Sequence, residues 1–203
     1  FLQDRLEGES LMILMTDELK IGLITGHIPV SKVAETITPE LIKKKVMIMH
    51  ESLKKDFGVN KPKIAVLGLN PHNGDKGIIG TEENDMIIPT VKEIQNNGYL
   101  VYGPYAADGF FGSKTYKQFD GVLAMYHDQG LAPFKALSFG KGVNFTAGLS
   151  EIRTSPDHGT AFEIAGKGTA NEDSFREALY TGLQIFKTRK EFIELTENPL
   201  KIR

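Results

Sequence analysis

Three histidines hold the chemistry that this sequence offers most directly. His27, His72 and His127 each stand just past an apolar run, at residues 21–25, 63–69 and 121–125. Runs of that length and composition predict buried strands. In an open α/β sheet, ligands and catalytic groups gather beyond the carboxyl ends of strands. Neutral imidazole is a common ligand for borderline divalent metals, and three protein ligands with one open position are the pattern of a catalytic site. The separations are too long for a local metal motif, so the signal is recurrence: strand, polar or glycine turn, histidine, three times over. Taken singly, each histidine also reads as a hydrogen-bonded loop residue.

His127 sits in Met125-Tyr126-His127-Asp128-Gln129-Gly130. Asp128 has several roles open to it: orienting a ligand, binding metal or substrate, or capping the following helix. Asp108, in an aromatic loop with Pro104, Phe110 and Phe111, would ordinarily be a turn residue. A second group comprises Lys135, Lys141, Asn144 and Arg153. Arginine grips phosphate or carboxylate with a planar fork and lysine supplies a mobile point charge, although a scattered surface set reads equally well. Asn144 interrupts an apolar strand phrase and needs hydrogen-bond partners if buried. The glycine-rich stretches match neither the Walker pattern nor G-x-G-x-x-G after a strand. The turn Asp157-His158-Gly159-Thr160-Ala161 can still point helix N-terminal amides at an anion.

The elements that must position these residues follow from periodicity and turn signals. Residues 11–15 and 21–25 predict two strands joined by a tight turn at Asp17-Glu18. Ser31 can cap a short helix to about Thr36. Thr38 with Pro39 and Glu40 is a strong helix start, and Gly58 a stop. His50 inside that helix reads as structural or surface, and Lys43-Lys44-Lys45 as its wet face. Residues 63–69 are the clearest buried strand. A helix from Thr81-Glu82-Glu83 to Gly98 contains Pro89, which should kink it. Strands follow at 100–102 and 121–125, a helix at 131–139, short strands at 143–146 and 151–154, a helix from Asp157 to near Gly166, and a last helix over 174–194. Alternating strands and helices imply a largely parallel sheet with helices on its faces.

The chain has 203 residues, a net charge of −2 and no cysteine. That length buries a respectable core as one domain or one and a half. The charge gives no electrostatic case for nucleic acid or an anionic membrane. No apolar run reaches the ~18–20 residues that span a bilayer. Without cysteine there are no disulfides, zinc ribbons or thiol nucleophiles, which fits a cytoplasmic setting. Phe1 begins a polar, helix-like phrase to Glu9, the look of the interior of a longer chain.

Gly68-Leu69-Asn70-Pro71-His72, Gly80-Thr81-Glu82-Glu83, the Met125–Gly130 motif, Gly142-Val143-Asn144, Ile152-Arg153-Thr154-Ser155 and Asp157-His158-Gly159-Thr160-Ala161 together resemble the 4-hydroxythreonine-4-phosphate dehydrogenase family of pyridoxal phosphate biosynthesis. The resemblance runs in order from about residue 1 to about 188 and corresponds to roughly the last three-fifths of the family's chain. It implies an α/β, isocitrate/isopropylmalate dehydrogenase-like two-domain fold lacking its N-terminal part. Residues 1–135 would be most of a metal-binding, dimer-forming domain, and 136–203 the C-terminal part of the coenzyme domain. It further implies one divalent metal (zinc, magnesium, cobalt or manganese) held by His27, His72 and His127 and shared between the subunits of a homodimer. Lys135, Asn144 and Arg153 would contact a small phosphorylated substrate, and the loop of His158, Gly159, Thr160 and Ala161 would meet NAD or NADP. Asp108 and Asp128 are the candidates for proton handling. The implied reaction oxidises and decarboxylates 4-phosphooxy-L-threonine to 3-amino-2-oxopropyl phosphate. Alternatives are a dehydrogenase of phosphorylated threonate or erythronate or of a dihydrodiol, a three-histidine metallohydrolase, and a non-catalytic metal- and phosphate-binding fragment. A coenzyme domain without its partner strands should leave apolar surface exposed.

Overall fold

The computed structural model describes residues 5–138, 140–160 and 162–198. The chain opens on a hairpin. Strand β1 (Gly8–Met15) returns as β2 (Lys20–Leu23), and the turn at Asp17-Glu18 is closed by the Thr16 amide on the Leu19 carbonyl. The opening phrase is therefore strand, not helix-like, from Gly8 onward; residues 1–4 lie outside the described residues. Next come a 3-10 turn (Val30–Lys32) and the short α1 (Val33–Thr36), with no side chain capping either, so Ser31 does not act as the cap. Helix α2 (Pro39–Lys55) begins as its residues dictate: Pro39 occupies the first position and the Thr38 hydroxyl accepts from the Leu41 amide at 3.2 Å.

Strand β3 (Lys63–Leu67) leads through a long turn to a π-helical segment (Glu83–Ile87) continuous with α3 (Ile88–Asn96). Pro89 has no amide hydrogen for the helical ladder, and the wider π turn just before it is where the ladder is disturbed. Strand β4 (Leu100–Tyr105) is followed by a helix, α4 (Ala107–Gly112), where a loop was expected. Its buried Phe110 packs against the Tyr105 and Phe119 rings, which gives this aromatic phrase a reason to coil. Strand β5 (Gly121–Ala124) is succeeded by α5 (His127–Ser138), which starts four residues earlier than its apolar pattern suggested. Strands β6 (Val143–Leu149) and β7 (Arg153–Pro156) and helix α6 (Asp173–Glu197) complete the described chain. No helix starts at Asp157; a single 3-10 turn (Phe162–Ile164) stands in its place.

All seven strands form one sheet in the order β4-β3-β5-β2-β1-β6-β7. It is mixed rather than largely parallel. The pairs β3/β4, β3/β5 and β2/β5 are parallel, whereas β1/β2, β1/β6 and β6/β7 are antiparallel. The alternating side chains of each strand feed two cores. Leu11, Ile13, Ile64, Val66, Leu123 and Phe145 face α2, α3 and α6 through Ile42, Val46, Met49, Val91, Ile94 and Ile185. Leu14, Ile21, Leu23, Ala65, Leu67 and Ala124 face α4 and α5 through Phe110, Leu131 and Phe134. The result is helices on both faces of the sheet, an α/β architecture. Gly130 lets α5 lie close: an added Cβ would stand 2.8 Å from Ile21 and 2.9 Å from Ala124.

Helix α6 is tied to the end of α2 by a buried ion pair. Arg189 Nε donates to Asp56 at 2.8 Å, its guanidinium also donates to the Ser150 carbonyl at 2.9 Å, and Ser52 donates to Asp56 at 2.7 Å. The outer face of α6 leaves Phe175, Leu179, Leu183, Phe186 and Ile193 exposed. Among the described residues no helix is long and apolar enough to cross a membrane.

Candidate active site

Strands β2, β3, β4 and β5 run the same way, so their carboxyl ends lie along one edge of the sheet. His27 follows β2, His72 follows β3, Asp108 follows β4 and His127 follows β5. Four of the residues singled out for chemistry are therefore brought to a single edge by topology, as the strand-end rule predicts.

Two histidines meet there. The His27 and His127 ring centroids are 6.4 Å apart with the planes tilted by 47°. Imidazole nitrogens at about 2.0–2.1 Å from one ion put ring centroids roughly 5 Å apart, so this pair would have to draw closer to share a metal. His127 Nδ1 lies 2.7 Å from the Asp128 carboxylate. This contact suits the tautomer with the ring proton on Nδ1, which leaves the Nε2 lone pair free for a ligand. Asp128 itself is 84 % exposed, which leaves its second oxygen open to solvent or substrate. His27 and His127 share a cavity of about 190 Å³ with Lys45, whose ammonium donates to the Ser10 carbonyl at 2.7 Å. Burial pushes Lys45 below the ordinary lysine range, against the opposing pull of Glu9. The wet-face reading of Lys43-Lys44-Lys45 thus fails at its third member. Lys43 and Lys44 pair outward with Glu93 and Glu9, but Lys45 follows Leu41 and Ile42 at helical spacing and turns inward.

His72 lies in a different cavity, of about 470 Å³, with Asn70, Asp108, Phe111, Tyr126 and Gln129. Its backbone is unusual. His72, Asn73, Gly74, Asp75 and Lys76 all have positive φ, between 42° and 77°, a left-handed run. Each L-residue held there costs roughly 1–2 kcal/mol, so the surroundings must hold the loop. Glu83, 0 % exposed, does much of this: its Oε1 accepts from the Leu69 and Asn70 amides at 2.7 Å each, and its Oε2 from the Asn70 side chain at 2.9 Å. Asn73 ties the loop to the Pro104 carbonyl at 3.0 Å. Gly74 is required here by space, since an added Cβ would overlap the Gly80 carbonyl. Among the described residues no cluster of three or more His, Cys, Asp or Glu side chains stands ready to hold an ion. Within one chain His27 and His127 are neighbours whose imidazoles are of the right kind to be metal donors, and His72 stands apart from them.

The second group stands elsewhere on the sheet. Asn144 and Thr146 alternate with buried Val143, Phe145 and Ala147, and antiparallel pairing of Thr146 with Arg153 puts Asn144 and Arg153 on one face, that of α5. Arg153 is level with Thr146 and Met12, near the histidine edge, whereas Asn144 pairs with Leu14 further down. Lys135 lies about 12 Å along α5 from His127 and forms an ion pair with Asp157 at 2.8 Å. The Oδ1 of Asn144 is buried without a hydrogen-bond partner among the described residues, an acceptor suited to a ligand's donor. His158, Gly159 and Thr160 are exposed after β7, and among the described residues the His158 ring reaches the Gly159 carbonyl, at 2.9 Å. Ala161, expected in the same loop, lies outside the described residues. Glu83, Lys45 and Gln129 escaped the sequence reading. For Lys45 the helical spacing was a usable signal; for Glu83, one of two adjacent acids at a helix start, there was none.

The family described as pyridoxal phosphate biosynthetic protein PdxA matches residues 1–182. A Bacteroides thetaiotaomicron protein named 4-hydroxythreonine-4-phosphate dehydrogenase is 56% identical over 203 residues, covering 99% of this chain and 56% of the relative. A crystal structure of 4-hydroxythreonine-4-phosphate dehydrogenase from Klebsiella pneumoniae superimposes with a TM-score of 0.78 at 38% identity, over 89% of this chain and 55% of that one. A terephthalate 1,2-cis-dihydrodioldehydrogenase from Burkholderia xenovorans LB400 follows the same path with a TM-score of 0.69 at 25% identity, over 86% of this chain and 55% of its own. The chain spans about half the length of the curated relatives it matches.

Proposed function

The chain belongs to the PdxA family of pyridoxal phosphate biosynthetic proteins, and from that premise we propose that it forms part of an NAD- or NADP-dependent, divalent-metal-dependent dehydrogenase of 4-phosphooxy-L-threonine. The observation that carries this reading is the shared edge: four parallel strand ends presenting His27, His72, Asp108 and His127, with two of the imidazoles facing each other. The reaction moves a hydride from the secondary alcohol carbon to the nicotinamide and leaves a β-keto acid, which loses carbon dioxide to give 3-amino-2-oxopropyl phosphate. A divalent ion among the histidines would supply Lewis-acid stabilisation of the substrate's hydroxyl oxygen; imidazole donors favour zinc or cobalt over magnesium or manganese.

The chain's own residues do the rest. Asp128 fixes the His127 tautomer so that Nε2 is the ligating atom. Asp108, exposed at the mouth of the His72 cavity, is placed to take or give a proton. Arg153 offers its fork to an anionic end of the substrate, Lys135 a point charge drawn from its Asp157 pair, and Asn144 an orienting amide. His158, Gly159 and Thr160, with Ala161, would approach the coenzyme.

A homodimer completes the proposal. In it the His27–His127 pair of one subunit receives its third imidazole from the other, so that the division of these residues between two cavities becomes an arrangement between subunits. Residues 1–135 would form most of the metal-binding and dimer-forming part and 136–203 the coenzyme part, in a cytoplasmic enzyme. A dihydrodiol dehydrogenase is the second reading, favoured by the Burkholderia xenovorans neighbour. A substrate panel on the full-length protein, followed by NADH absorbance with and without chelator, separates the two. The phosphorylated hydroxy amino acid should turn over in a chelator-sensitive way; turnover of a dihydrodiol alone, or hydrolysis without NADH, would refute the proposal. In the same assay Arg153→Ala should raise KM for the phosphorylated substrate by roughly tenfold to a hundredfold, the worth of a charged hydrogen bond, with the KM for NAD little changed. Equal effects on both would remove Arg153 from the substrate site.

A further inference from the structure

Gln129 ties two of the histidine-bearing strand ends together. Its Oε1 accepts from the Met125 amide at 2.7 Å, and its Nε2 donates to the Gly68 carbonyl at 2.6 Å. The first bond is local and ties the Gln129 side chain to the end of β5. The second spans 61 residues and reaches the end of β3, just before the His72 loop. Met125 is held from its other side by Thr25, whose hydroxyl donates to the Met125 carbonyl at 2.6 Å and whose amide lies 3.2 Å from the same oxygen. The exits of β2, β5 and β3 are thus laced in series, with His27, His127 and His72 two to four residues beyond each tie. Between β5 and β3 the parallel ladder has ended by this level: its last register pair is Val66 with Leu123. Gln129 continues the pairing where backbone no longer can.

We propose that Gln129 is a positioning residue that sets the spacing between the His127 turn and the His72 loop. The inference rests on the three-histidine reading. In a two-fold dimer where each chain gives His127 to one site and His72 to the other, the spacing within a chain fixes the ligand geometry at both. A side-chain amide suits the task because its oxygen accepts and its NH2 donates at all ordinary pH, one for an amide and one for a carbonyl. Methionine has the length but neither group; glutamate keeps the acceptor for Met125 and faces the Gly68 carbonyl with another oxygen.

The test uses the full-length protein, with zinc affinity measured by chelator competition and cobalt(II) visible absorption reporting ligand geometry. Gln129→Met and Gln129→Glu should each lower zinc affinity roughly tenfold to a hundredfold, the usual consequence of losing a group that orients a ligand. Both should shift the cobalt band at temperatures where circular dichroism shows the protein fully folded. Unchanged affinity and an unchanged band in both variants, with the parent binding zinc, would overturn the positioning role alone. A parent that takes up neither ion would overturn the three-histidine reading and this inference with it.

Discussion

His127→Ala in the full-length protein is expected to reduce chelator-sensitive NADH formation about a thousandfold or more, because the lost polarisation of the reacting oxygen is worth several kcal/mol of barrier. His127 faces His27 across 6.4 Å, has the Asp128 carboxylate 2.7 Å from its Nδ1, and stands at the first turn of α5, whose position is fixed by buried Leu131 and Phe134. Its half-exposed ring supports no core, so the variant should fold with the parent's thermal midpoint. Metal content, measured on the purified protein, should fall with activity. His127→Ala retaining both metal and activity would remove the histidine site from the account. Asp128→Asn should behave more mildly, since it keeps an oxygen for Nδ1 and loses only the charge.

The second large effect is on stability. Glu83→Ala removes a carboxylate that is 0 % exposed and leaves the part-buried Leu69 and Asn70 amides without their acceptor. An orphaned buried donor costs about 1–3 kcal/mol, so two would cost at most roughly 2–6 kcal/mol, and these part-buried amides should fall in the lower half of that range. The loss falls on the left-handed run of residues 72–76, which has few other supports, so its amides should exchange hydrogen faster than those of α2. Glu83→Gln can keep the one oxygen that accepts from both amides and should lose less, chiefly the bond to the Asn70 side chain. Denaturant unfolding gives the magnitude and hydrogen exchange the location. An Ala variant as stable as the parent would mean that the loop holds its conformation without the clamp.

These two residues also mark where the sequence could be read and where it could not. The position of His127 just past a strand was legible because a strand end is signalled by composition, and residues 63–67 and 121–124 are apolar enough to name as strands. Thr38-Pro39 was legible because capping is local chemistry, confirmed by the Thr38 bond to Leu41. Strand direction was not. The short runs of β1, β6 and β7 carry no record of which neighbour they pair with, so a mixed sheet was read as largely parallel. The start of α5 was hidden by Gly130 and Pro133, which argue for a loop, yet Gly130 is what lets the helix touch the sheet. The left-handed turn at His72 was invisible because four of its five residues are not glycine, and the tertiary bonds that brace it, from Glu83 to Leu69 and Asn70 and from Asn73 to Pro104, leave no mark in the local sequence. The helix expected at Asp157 has a good opening turn but no buried apolar face to keep it: Phe162 is 79% exposed.

The claim at the centre is that the site is completed between two subunits. Within one chain His27 and His127 adjoin while His72 opens into another cavity with Asp108. Mixing full-length His72→Ala and His127→Ala proteins, each inactive alone, and letting the subunits exchange tests this directly. A shared site predicts that each hybrid dimer regains one intact set of three histidines, and with it about half the activity of a parental dimer. Hybrid dimers that form and stay inactive would contradict it.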